Sequence, residues 1–100
     1  MYAVFNELAV AELNDTVAYY ELELEGLGER FRKEIQNCIK RIAKNPNAWS
    51  KEIGHVRRYI LHKFPFKILY SIEEDHIFIV AIAHQHRKPN YWVERITGEI

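Results

Sequence analysis

The sequence predicts an α+β fold: a helix hairpin packed on one face of a mainly antiparallel four-stranded sheet, in the order β-α-α-β-β-β with a short closing helix. Three observations carry that prediction. Apolar residues recur at spacings of three and four through the first half of the 100-residue chain, the mark of helices with one buried face. Gly26 and Gly28 flank Leu27 in the middle of this region and supply the permissive dihedrals of a tight helix–helix connection. Beyond Gly54 the apolar period falls from 3.6 to 2, the period of strands. Helices and strands segregated in this way build a two-layer sandwich.

Each element has its own local reason. Tyr2, Ala3, Val4 and Phe5 form a short apolar stretch suited to a first strand. Asn6 offers a side-chain oxygen at an N-cap position, with Glu7 placed for the helix dipole. Val10, Leu13, Val17, Tyr20, Leu24 and Leu27 are predicted to form the buried face that follows. A second helix carries Phe31, Ile35, Cys38, Ile39 and Ile42 on one stripe. It ends at Asn45-Pro46, because a residue before proline is pushed out of the helical region. So short a turn between the helices requires them to run antiparallel.

Residues 47–54, with Trp49, read as a loop closing at Gly54. Strands are predicted at 55–61, 66–72 and 77–84, with Pro65 at a strand start and the acidic residues 73–75 as a hairpin connection. The last strand is apolar on both faces and is expected to be central or covered on both sides. Pro89 is expected to open a final helical turn bearing Tyr91, Trp92 and Arg95.

Composition bounds the function. One hundred residues, 48% of them hydrophobic, make one domain with a modest core and exclude a disordered chain. The longest apolar run, 77–83, falls far short of the roughly 20 residues a membrane span needs. The N-terminus lacks the basic flank of a signal peptide, and the lone Cys38 cannot form an internal disulfide; both suit a reducing cytoplasm. Cys38 lies on an apolar stripe and is expected to be a small core residue.

Fourteen bases balance fourteen acids, but they are segregated. Residues 1–31 hold seven acids and one base, 32–52 six bases and two acids, and 53–72 four bases and no acid. The chain has an acidic front and a basic middle. Neutrality overall argues against indiscriminate nucleic-acid binding, while the basic middle allows a focused site for an anion or an acidic partner.

Several local patterns resemble the RelE/ParE superfamily of bacterial type II toxin–antitoxin toxins, and its ParE-like (plasmid stabilisation) branch in particular. They are Ala18-Tyr19-Tyr20-Glu21 late in the first helix, Leu27-Gly28-Glu29-Arg30-Phe31 at the helix turn, and Asn45-Pro46 at the end of the second helix. Val56-Arg57-Arg58 opens the meander, and Phe64-Pro65-Phe66-Lys67-Ile68-Leu69-Tyr70 continues it. The run from Ala81 through His84-Gln85-His86-Arg87-Lys88-Pro89-Asn90-Tyr91-Trp92 completes the set. The resemblance spans nearly the whole chain as a single toxin domain. It implies a small cytoplasmic toxin, silenced by a cognate antitoxin in a possible hetero-oligomer. Its target would be DNA gyrase if ParE-like, or messenger RNA on the ribosome if RelE-like.

The resemblance also nominates residues. RNA cleavage through a 2′-hydroxyl needs a base, an acid and cations over the phosphate. In RelE-like nucleases this work falls to basic residues on the meander, an Arg after the last strand and a C-terminal Tyr. The matching positions are Arg57 or Arg58, Lys67, Arg87 and Tyr91, with His84 and His86 as further acid–base candidates. Lys67 stands where the nucleases usually have Arg, and a point charge clamps phosphate less well than a bidentate fork. Arg57, Arg58, Lys67, Arg87 and Trp92 are expected to form a partner-binding surface for a partly disordered acidic antitoxin segment. His84 and His86 could supply two metal ligands, but no third has convincing spacing, so no metal or cofactor is expected.

Three readings follow. Gyrase inhibition is preferred on the Phe64-Pro65-Phe66 and Ala18-Tyr19-Tyr20 patterns and on neutral charge, since a ribosome-bound nuclease competes for a dense phosphate field. Ribosome-dependent RNA cleavage is the alternative. A degenerate toxin that keeps only antitoxin binding is the third.

Overall fold

In the computed structural model, which describes residues 1–97, five strands form one mixed sheet in the order β1-β5-β4-β3-β2. They are β1 (Tyr2–Phe5), β2 (Lys51–Ile53), β3 (Val56–Ile60), β4 (Phe66–Ile72) and β5 (His76–His84). β1 pairs with β5 in parallel and every other pair is antiparallel. The helices are α1 (Glu7–Glu23), α2 (Leu27–Lys44) and a short α3 (Glu94–Thr97). The expected α+β hairpin-on-sheet architecture is present, with one strand more than expected. β2 lies in the stretch read as a loop, after a 3-10 turn at Pro46–Ala48. Three residues are too few to display a period of two, so only tertiary pairing with β3 reveals this edge strand.

The helix hairpin forms as its sequence requires. The Asn6 Oδ1 accepts the Leu8 amide at 2.8 Å and caps α1. Gly26 takes the left-handed conformation, φ 86°, that a side chain would strain. The Glu21 carboxylate then accepts the amides of Gly26 and Gly28, at 2.8 and 3.0 Å, and closes the turn from within α1. Gly28 is where the two helices touch: a Cβ there would collide with the Val17 carbonyl oxygen and crowd Glu21.

Two cores flank the sheet. On the helix side Phe31, Ile35, Cys38 and Ile42 of α2 meet Tyr59, Ile68, Tyr70, Ile77, Ile79 and Ile82. Cys38 is fully buried there, and burial pushes its thiol pKa up, so it serves as a small apolar residue. On the other side Val56, Leu69, Val80, Ala81 and Ala83 are covered by Trp92. β5 is therefore covered on both faces, as its doubly apolar sequence predicts.

Two expectations are corrected. Val10 and Leu24 are exposed, and the inward face of α1 is Ala9, Leu13, Val17 and Tyr20. Leu24 lies past the helix in extended backbone, and Ala9, too small to stand out in the pattern, takes the buried position assigned to Val10. Pro89 does not start a helix. Asn90 has φ 66°, which breaks helical geometry; the Val93 amide donates to the Asn90 carbonyl in a turn before α3 begins at Glu94, and the Arg95 and Ile96 amides make further i to i+3 hydrogen bonds into α3.

Gly28→Ala tests the hairpin contact. Helix propensity alone favours alanine by about 1 kcal/mol. The collision with the Val17 carbonyl should reverse that sign and destabilise the fold by about 1–3 kcal/mol in urea unfolding. A stabilised variant would show that the close approach is not required.

Candidate functional site

The site is organised by an interruption in the sheet. β1 ends at Phe5, opposite Ile79, and the chain turns into α1 two residues later. The outer edge of β5 therefore continues without a strand beside it. Glu12, on α1, reaches over that edge. Its carboxylate accepts the Ile82 amide at 3.0 Å, the Tyr91 hydroxyl at 2.6 Å and both terminal nitrogens of Arg95 at 2.9 Å. Arg95 also donates to the Val80 carbonyl at 3.0 Å. The Glu12 and Arg95 side chains are only 15% and 10% exposed.

A buried carboxylate is tolerated when its charge and its acceptor sites are matched, as they are here. The result is a clasp around the β5 edge that joins the helix layer to the C-terminal arm. Tyr91, nominated as a catalytic residue, serves this clasp. Burial first, and then its hydrogen bond to Glu12, push its phenol pKa well above the ordinary tyrosine value. It stays protonated and donates to Glu12. Trp92, nominated for partner binding, is buried against the second face of the sheet. It anchors the arm and offers no surface to a partner in this arrangement.

The nominated cations divide between the two faces. Arg57 points to the helix side and donates to the Trp49 carbonyl at 2.6 Å and to Asn47. Arg58 and Lys67 emerge on the side of the C-terminal arm, and both meet Glu52 of β2. Lys67 Nζ lies 2.6 Å from one Glu52 oxygen, and Arg58 lies 3.8 Å from the other while donating to the Lys51 carbonyl. Loop carbonyls thus hold Arg57, and β2 holds Arg58. Lys67 lies on β4, inside the sheet, with strands on both sides.

A narrow crevice of about 70 Å³ lies beside this pair, lined by Glu52, Lys67, His84, Arg87 and Tyr91 among others. The Arg87 guanidinium sits 4.1 Å from the centre of the Tyr91 ring. His84 and His86 come together, with rings 5.4 Å apart. The His86 amide donates to His84 Nδ1 at 3.1 Å, which makes that nitrogen an acceptor. Among the described residues no group of three or more His, Cys, Asp or Glu is placed to hold a metal ion. No helix of the described residues is long and apolar enough to cross a membrane.

The structure thus brings Arg58, Lys67, His84, Arg87 and Tyr91 to one end of the sheet and leaves Arg57 on the opposite face. Three of the five are already engaged, Arg58 and Lys67 by Glu52 and Tyr91 by Glu12. A phosphate seated between Arg58 and Lys67 would have to displace the Glu52 carboxylate. Sequence reasoning missed both acids and gave Arg95 no role. Glu12 did leave a signal, a charged residue three after Ala9 and four before Thr16 on the buried side of a helix. Glu52 left a weaker one, as an isolated acid in an otherwise basic stretch.

Comparison with known proteins adds a family. The profile described as "ParE toxin of type II toxin-antitoxin system, parDE" matches residues 3–89. Among curated relatives, "Toxin ParE2" of Mycobacterium tuberculosis (strains CDC 1551 / Oshkosh and ATCC 25618 / H37Rv) is 25% identical over 88 residues, covering 87% of this chain and 84% of the relative. Among solved structures, one titled "Chromosomal ParDE TA system from P. aeruginosa" superposes with a TM-score of 0.65 at 21% identity. That match covers 84% of this chain and 95% of the other, and it shows the same fold.

The clasp makes two predictions. Glu12→Ala leaves Arg95 buried without its counter-charge and should cost about 3–5 kcal/mol in urea unfolding; an unchanged midpoint would contradict the clasp. Tyr91 has a folded pKa above its unfolded value, so its contribution to stability is fully present below pH about 10 and is lost as pH rises beyond it. Ultraviolet titration should show one tyrosine ionising after the others, and Tyr91→Phe should remove that late step.

Proposed function

The chain belongs to the family of ParE toxins of type II toxin–antitoxin systems, and from that premise we propose that it inhibits DNA gyrase and is silenced by a cognate antitoxin. One observation carries the choice of gyrase over RNA: Lys67 and Arg58, the meander cations that a RelE-like nuclease would lay over phosphate, are both turned onto Glu52. A half-buried carboxylate at 2.6 Å neutralises Lys67 and repels a phosphodiester at that point. Tyr91 supports the same reading, since its hydroxyl is committed to Glu12. A protein that works by binding needs none of these groups free.

Ribosome-dependent RNA cleavage keeps a foothold in His84, His86 and Arg87 around the crevice. The antitoxin reading rests on charge. The cations along α2 suit an acidic segment that orders on contact.

The two targets separate cleanly in the test tube. With purified protein, a relaxed-plasmid assay should show gyrase supercoiling lost at micromolar toxin and restored by antitoxin; full supercoiling would overturn the proposal. Primer extension on translated message should show no new 5′ ends inside codons, and their appearance would establish the nuclease instead. Loss of both activities with antitoxin binding intact would identify the degenerate toxin. Association with the antitoxin should slow as salt rises, because charge steering is screened.

A further inference from the structure

We propose that the open edge of β5 and the aromatic cleft beside it form a docking site for an extended, basic peptide segment of a protein partner. The edge comes first. The Leu61 amide donates to the Phe66 carbonyl, so the Phe66 backbone faces β3. His84 pairs with Phe66 across β4 and β5, and its backbone therefore faces away from β4, towards the edge that β1 leaves bare. Ile82 faces the same way, since its amide reaches Glu12. Glu12 takes the Ile82 amide and Arg95 takes the Val80 carbonyl, but the Ile82 carbonyl and the His84 amide find no partner among the described residues. A free carbonyl and a free amide two residues apart can bond the amide and carbonyl of one residue in a parallel strand. Such a strand would continue the line of β1, which already runs parallel to β5.

The cleft defines the rest of the ligand. It holds about 490 Å³ between α1 and the ends of β4 and β5, and its walls include Tyr19, Tyr20, Phe66 and His84, with Asp15 and Thr16 along α1. The rings are already mutually packed: Tyr19 against Tyr20 at 5.6 Å and Phe66 against His84 at 5.0 Å. Asp15 and Thr16 sit one helical turn beyond Glu12, as His84 sits two residues beyond Ile82. The Asp15 carboxylate is exposed and has no hydrogen bond or ion pair among the described residues.

Charge selects the occupant. α1 carries acids and no base along its whole length, so a phosphate or an acidic peptide is repelled here. An extended segment with an arginine or lysine fits, its backbone on the β5 edge, its apolar stem on the tyrosines and its charge on Asp15. This site is opposite in sign to the basic surface assigned above to the acidic antitoxin segment. It stands whether or not gyrase is the target.

The test uses the full chain, isotope-labelled for amide NMR, and an acetylated, amidated heptapeptide alternating valine and arginine. Shifts should concentrate at Ile82, His84, Tyr19 and Tyr20, and Asp15→Asn should weaken binding roughly two- to fivefold. His84→Ala keeps the edge amide and His84→Pro removes it, so the proline variant should bind more weakly than the alanine variant while both retain the folded spectrum. The same peptide with glutamate for arginine should not bind. Equal binding of the glutamate peptide, equal binding by the two His84 variants, or shifts confined to another face would each overturn the proposal.

Discussion

One buried carboxylate holds the two layers of this protein to its C-terminal arm. Glu12 crosses from the helix layer to the bare edge of β5 and there meets Tyr91 and Arg95, which come from the opposite face of the sheet. Sheet hydrogen bonding explains why a charged residue is used. Where β1 stops, β5 presents an amide and a carbonyl that need partners, and an unpaired buried backbone group costs about as much as a lost hydrogen bond. Glu12 and Arg95 supply one acceptor and one donor to that edge and neutralise each other in doing so. With the arm thus anchored, Trp92 covers Val56, Leu69, Val80, Ala81 and Ala83, which would otherwise form an apolar face open to water.

A second carboxylate sets the character of the other end. β2 contributes three residues to the sheet, yet its Glu52 lies between Lys67 and Arg58. Removal of that short strand would leave two cations side by side on the arm face, and its presence turns them into a closed network. The same fold can therefore carry either an anion-binding end or a neutralised one, and the difference lies in a single edge residue. Function lives in such sites carried on a fold rather than in the fold itself.

The zero net charge follows the same division. α1 presents acids beside the open β5 edge, α2 presents bases, and the arm side of the sheet pairs much of its charge internally. Two surfaces of opposite sign on one small domain give two partners, or two parts of one partner, separate places to bind without competing for one patch.

The sequence by itself determined the helices, the hairpin, the meander and the family resemblance, because these rest on local chemistry. Asn6 as a cap, Gly26 in a left-handed turn, the stripe Phe31, Ile35, Cys38 and Ile42, and the doubly apolar β5 are each written in near neighbours. The inward rotation of α1 was less legible, since it is nearly as apolar outside as inside and Val10 and Ala9 compete for one position. Only the tertiary structure decided the site. Glu12 and Arg95 stand 83 residues apart, and Glu52 and Lys67 fifteen. Whether Tyr91, Lys67 and Trp92 are free or engaged depends on those long-range partners, and no periodicity or spacing within the chain encodes which carboxylate a cation will meet.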